Sequence, residues 1–220
     1  TGVQTCALPI SIDHAANRHV TKVKDFVLDV ANPEQAKLLE SMLHHCRPCY
    51  VHLGLPCGTC SRARERPMPA KLGGHRGPPP LRDAEHLLGL PNLRAIDQLK
   101  VDLANKLYKC AVRLLEVCMC LGCLVSIENP ARSWLWALLA LLVKETGNME
   151  FVEWFSALES VYFDACAHGS SRDTRTKLLA TSGLFTSLEA VCPQNHTHAS
   201  WQPYKTIPRL VVQSSGRLRF

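Results

Sequence analysis

The sequence has no apolar run long enough to cross a bilayer. The longest, Trp134 to Val143, has ten residues against the roughly 20 that a spanning helix needs, and it predicts a buried helix. A secretory signal is also missing, because residues 1–10 lack a basic start followed by a long apolar stretch. Aromatics are sparse at 6% and charged residues stop at 20%. The composition as a whole excludes a collagen-like chain, a low-complexity tail and a long coiled coil. What is present is a 46% hydrophobic content over 220 residues, enough for a sizeable core in one domain or one and a half. Lys and Arg number 25 against 19 acidic residues, a net of +6, which suits a polyanionic partner without requiring one. Cysteine is abundant and odd in number, at 11. Cys110, Cys118, Cys120 and Cys123 lie inside apolar runs, so the expectation is reduced core thiols in an intracellular protein.

Residues 1–10 read like a translated sequencing-library adapter and are set aside from the fold. The native chain is then expected to begin near Ser11, with a preceding segment lost. Beyond Trp201 the text changes character, and residues 191–220 form a Cys/His-containing tail whose end suggests truncation or a frameshift. Between them, residues 11–190 read as one α/β domain. Ser11–Asp13 and Phe26–Val30 are short apolar runs that each carry an acid near the end. Pro33 opens a helix to about His45, since proline suits the first helical position. Tyr50–Leu55 is the next strand. Strand, helix, strand predicts a parallel sheet, here a Rossmann-like open, mostly parallel sheet with flanking helices. Residues 61–93 form a long basic loop with Arg62, Arg64, Arg66, Lys71, Arg76 and Arg82 among prolines and glycines. A helix over 93–121 follows, with Ile96, Leu99, Leu103, Leu107, Leu114 and Leu115 as its apolar side. Strands at 123–127, 161–164 and 177–181, and a helix at 134–146, complete the pattern; no internal repeat is visible.

In an open parallel sheet, ligands bind beyond the carboxyl ends of the strands. Asp13, Asp29, Pro56-Cys57-Gly58 and Glu128-Asn129-Pro130 all stand at such ends. Cys57 on a turn after a strand can be a nucleophile, activated by positive charge or main-chain dipoles nearby; the competing assignment is a buried structural thiol. Burial at the end of an apolar strand would let Glu128 hold or deliver a proton; otherwise it caps the following helix. Arg172, Arg175 and Lys177 form a loop cluster with no other distinguishing mark. Cys192, His196 and His198, with Cys166 or His168, have the ligand types of a zinc site. A zinc ribbon from Cys46, Cys49, Cys57 and Cys60 is disfavoured, because the seven residues between the pairs are a predicted strand.

Pro56-Cys57, then Glu128-Asn129-Pro130, then Arg172 and Arg175, resembles the order of motifs in DNA cytosine-5 methyltransferases, including divergent methylase-type domains of mobile elements. The likeness spans about residues 12–175. Pro130 stands where that family has Val, the arginine element lacks its Gln, and the Gly-rich first strand has no counterpart. The resemblance implies a transferase acting on DNA with S-adenosyl-L-methionine. Cys57 would add to carbon 6 of a flipped cytosine, Glu128 would serve N3, and Arg172 or Arg175 would hold the base oxygen. Asp13, Asp29 and Pro56 would bind the cofactor, and the basic loop would clamp phosphates as a lid. With half the cofactor motif missing, the fragment itself is expected to be inactive. A nuclear location follows only from the DNA substrate. The alternatives are a noncatalytic nucleic-acid-binding module of a mobile element and a zinc-stabilised structural domain.

Overall fold

A computed structural model of the chain describes residues 10–13, 24–66, 78–199, 211–212 and 218–219. Two parallel strands open it, β1 (Ile10–Asp13) and β2 (Lys24–Val27), as a two-stranded sheet of their own. Helix α1 (Pro33–Cys46) starts where expected. Asn32 caps it, its side-chain oxygen accepting from Glu34 N at 2.9 Å, and Pro33 occupies the first turn. Strand β3 (Tyr50–Gly54), helix α2 (Ala95–Leu121) and strand β4 (Leu124–Pro130) form a βαβ unit in which β3 and β4 pair in parallel. Gly122 ends α2 at φ 68°, and Cys123 N donates to Cys118 O across that turn. Helices α3 (Leu135–Glu145) and α4 (Met149–Ser156) lead to strands β5 (Glu159–Asp164) and β6 (Arg175–Ala180). A short pair, β7 (Val211–Val212) and β8 (Leu218–Arg219), is antiparallel.

The α/β class holds, but the sheet is mixed rather than mostly parallel. Its order is β3-β4-β6-β5, and β6 runs antiparallel to both neighbours. The physical reason lies in the connections. The β5–β6 link is too short for a crossover helix, so β6 must return beside β5 as an antiparallel strand. It then lies between β5 and β4. Nor do β1 and β2 pair with the four-stranded sheet among the described residues. Glu128-Asn129-Pro130 belongs to β4 itself rather than to the turn after it.

The core joins the helices to the middle of the sheet: Tyr108, Leu115, Val125, Ile127, Leu138 and Phe151 are fully buried. Helix α2 buries Leu114 and Leu115 as expected, but its first half turns a different side inward than Ile96, Leu99 and Leu103 suggest. Val101, Tyr108 and Leu115, each seven residues apart, are the buried row, while Ile96, Leu99 and Leu103 are exposed. The 78–93 segment decides between the two stripes. Leu81 is 1% exposed, and a Cβ on Gly89, which sits at φ 131°, would meet Val101 Cγ1 at 2.7 Å. This half of the basic loop is therefore packed onto α2 and is not a lid; residues 67–77, with Lys71 and Arg76, lie outside the described residues. Among the described residues no helix is long and apolar enough to cross a membrane.

Burial raises the thiols of Cys57, Cys110, Cys118 and Cys123, and raises the Tyr108 phenol. For Cys118, burial and then the neighbouring Cys123 push the value up to about 12. A raised thiol favours the native state while it stays protonated in both states. That contribution is complete below the unfolded value, near 9.0, and is lost as pH climbs through the folded one. Urea midpoints under reducing conditions are therefore expected to hold below pH 8 and to fall steadily from about pH 9 toward 12. A midpoint that stays constant to pH 11 would contradict this.

Candidate active site and metal centre

Strands β3 and β4 run side by side with Gly54 opposite Glu128, so both deliver their carboxyl ends to one place. There, a cavity of about 270 Å³ is lined by Gly54, Leu55, Cys57, Glu128, Asn129, Pro130, Thr174 and Thr176. The two threonines come from β6 and its approach, since Thr176 stands opposite Pro130 in the antiparallel register. Cys57 and Glu128 are thus brought together as the sequence suggested. Asn129, named with Glu128 in the same strand-end group, also lines it; Thr174 and Thr176 were not foreseen, and only the antiparallel return of β6 could have pointed to them.

The Cys57 turn is held from three sides. Asn129 Nδ2 donates to Leu55 O at 2.7 Å, and Tyr108 Oη donates to Pro56 O at 2.6 Å. Trp134 N donates to Cys60 O at 2.9 Å, tying the turn to the chain beyond β4. Arg82 completes the cradle. It is 1% exposed and donates to Thr59 Oγ1 at 3.1 Å, to Asn105 Oδ1 at 2.8 Å and to Leu87 O at 2.5 Å. Its guanidinium is therefore an internal support for this turn and not a phosphate clamp. Arg64 reaches Gly58 O and Pro79 O, while Arg62 pairs with Glu65 at 2.8 Å and lies 4.8 Å from the Trp134 ring centre.

The electrostatics depart from the expected activated nucleophile. Cys57 is half-buried, and its thiol is raised first by that burial and then by Cys60 and Glu128. Glu128 is exposed at the cavity mouth, so the burial expected of it is absent. Inside the wall, Asn129 Oδ1 is buried with no hydrogen-bond partner among the described residues. Arg172 and Arg175 are exposed and do not line the cavity. Arg175 alternates with Thr174 and Thr176 along the strand, so its side chain leaves on the opposite face; it sits 3.8 Å from Asp164 and over the Tyr162 ring.

The residues assigned to the cofactor do not form a common site here. The Asp29 carboxylate accepts from Ala31 N at 3.1 Å within its own turn, and the Pro56 carbonyl is taken by Tyr108. Asp13 ends a strand of the separate two-stranded sheet, and its side chain lies outside the described residues. Among the described residues the donor set for S-adenosyl-L-methionine is not assembled.

A second cluster stands beyond β5. Cys166, Cys192, His196 and His198 bring their sulfur and nitrogen atoms within 4.8 Å of one another and could hold a metal ion. Cys192 Sγ lies 3.4 Å from His198 Nε2 and 3.9 Å from His196 Nε2. Cys166 rather than His168 completes the group, because His168 Nε2 is engaged by Leu188 O at 2.9 Å. Among the described residues it is the only such group of three or more, so Cys46, Cys49, Cys57 and Cys60 do not assemble one. No protein-family model matches the chain, and neither a curated protein nor a solved structure matches it.

Proposed function

We propose that the chain is part of a DNA cytosine-5 methyltransferase-like protein of the mobile-element type. The reading is supported above all by Cys57 and Glu128 sharing one cavity at the ends of two adjacent parallel strands. Carbon 5 of cytosine is a poor nucleophile. The Cys57 thiol gives its proton to solvent, and its sulfur bonds to carbon 6. The carbon 5–carbon 6 π pair then moves to the carbon 4–carbon 5 bond, the carbon 4–N3 pair moves to N3, and Glu128 gives N3 a proton. Carbon 5 becomes electron-rich and accepts an electrophile. Loss of the carbon 5 proton, departure of the sulfur as thiolate and return of the N3 proton to Glu128 restore the aromatic ring. The base must leave the stack to reach the cavity, and a nuclear setting follows only from that substrate.

Water can supply the electrophile, as a proton, so the half-reaction needs no methyl donor. DNA carrying tritium at cytosine carbon 5 is expected to release it to water in the presence of the chain. A folded, DNA-binding preparation that releases none would sink the reading. A second reading, a zinc-stabilised domain, is supported by the Cys166, Cys192, His196 and His198 cluster and is compatible with the first.

A further inference from the structure

We infer that Cys166, Cys192, His196 and His198 close a four-ligand structural zinc(II) site, and that the ion fixes the 166–174 segment that brings Thr174 to the Cys57 cavity. The inference rests on the zinc-stabilised reading and is independent of the chemistry assigned to Cys57.

The donor set is the first argument. Two thiols and two imidazoles are the ligands of closed tetrahedral zinc sites, and four protein donors leave no open position for a substrate. Zinc–sulfur and zinc–nitrogen bonds of about 2.3 and 2.0–2.1 Å place sulfur and nitrogen roughly 3.5 Å apart across a tetrahedral edge. The two separations from Cys192 Sγ, 3.4 and 3.9 Å, bracket that spacing. Both imidazoles turn Nε2 toward the sulfur. His196 Nδ1 lies 3.0 Å from Asn195 Oδ1, the outer contact that orients a ligating imidazole.

What the cluster joins is the second argument. Cys166 follows β5, whereas the other three ligands belong to the 192–198 segment. That segment carries little apolar burial: Val191 is 69% exposed. Main-chain contacts dock it, with Cys192 N donating to Asp164 Oδ2 at 2.8 Å and Ala199 N to Ser171 O at 2.7 Å. A metal crosslink supplies the anchor that a core does not. The 166–174 stretch on which it docks leads into β6, and Ala165 N donates to Thr174 O at 2.9 Å. Thr174 lines the Cys57 cavity, so ordering this loop also sets one wall of that cavity. On binding, the two thiols lose their protons to solvent and four coordinate bonds form.

The test uses the full chain, reduced and metal-stripped, then titrated with cobalt(II) and zinc(II). One ion per chain is expected, with the intense visible bands of tetrahedral cobalt bound by two thiolates, abolished by zinc. Zinc should shield Cys166 and Cys192 from alkylation. Cys192→Ser and His198→Asn should each weaken zinc binding at least about 100-fold in competition with a chromophoric chelator, whereas Cys46→Ser/Cys49→Ser should not. Should the variants misfold, the cobalt spectrum and the alkylation pattern of the unsubstituted chain decide. Amide exchange over 165–176 should slow on adding zinc. A folded chain that binds no metal, a Cys166–Cys192 disulfide that survives reduction, or metal that follows Cys46 and Cys49 would overturn the site. Metal held elsewhere would leave a zinc-stabilised domain but not this ligand set. Binding here with unchanged exchange at 170–176 would overturn the coupling to the cavity.

Discussion

Replacing Cys57 by serine is expected to reduce tritium release from cytosine carbon 5 to background while DNA binding and the fold persist. A serine hydroxyl keeps the size of the group but lacks the thiolate that adds to carbon 6. Burial holds the thiol above its ordinary value, so at neutral pH only a small fraction is thiolate, and release depends jointly on that fraction and on Glu128 carrying the proton it gives to N3. Glu128→Gln acts in two directions. It removes the acid at N3, an expected loss of about 10²–10⁴-fold. It also removes a charge that raises the Cys57 thiol, so the residual activity should follow the thiolate alone and rise with pH. Release that is unchanged in the serine variant would place the chemistry elsewhere.

Arg82→Ala carries the largest expected effect on stability, roughly 3–5 kcal/mol. The side chain is 1% exposed, so its removal leaves a void between the Cys57 turn and α2. It also strands Asn105 Oδ1 and the Leu87 carbonyl without their donor. The guanidinium lies 5.7 Å from the Tyr108 ring centre, and Tyr108 holds Pro56 O. Loss of Arg82 therefore loosens the nucleophile turn as well as the core. Denaturant unfolding of the variant is the measurement; a loss below about 1 kcal/mol would mean the arginine is dispensable. Arg82→Lys should recover little, since an ammonium cannot match the fork that spans Thr59, Leu87 and Asn105.

These two residues mark the limits of what could be read beforehand. Cys57 and Glu128 were legible because each terminates an apolar run, and parallel strands place such ends side by side. Arg82 was not. In sequence it is one of several basic residues among prolines, and only packing separates it from its exposed neighbours. Helix α2 was read with Ile96, Leu99 and Leu103 on its inner side, whereas its first half is buried through Val101 and Tyr108, where the 78–93 segment packs. Helix α4 escaped notice because Val152 and Trp154 blur the spacing of its buried Phe151 and Phe155. Strand β6 was foreseen but not its direction, which follows from the short link to β5. The metal-ligand types were visible, yet the choice of Cys166 over His168 needed the Leu188 contact.

The position of β6 also bears on how the chain acquires its structure during synthesis. Strand β4 has β3 on one edge and, on the other, β6 with Glu128 facing Leu178. Until that later segment leaves the ribosome, one edge of β4 offers unpaired amides and carbonyls to any extended peptide nearby. The nascent protein thus passes through an interval in which an interior strand of its sheet is half-covered, and non-local closure of this kind is slow. A messenger that stops short of codon 175 would make that interval permanent, leaving a sticky product in place of a folded one.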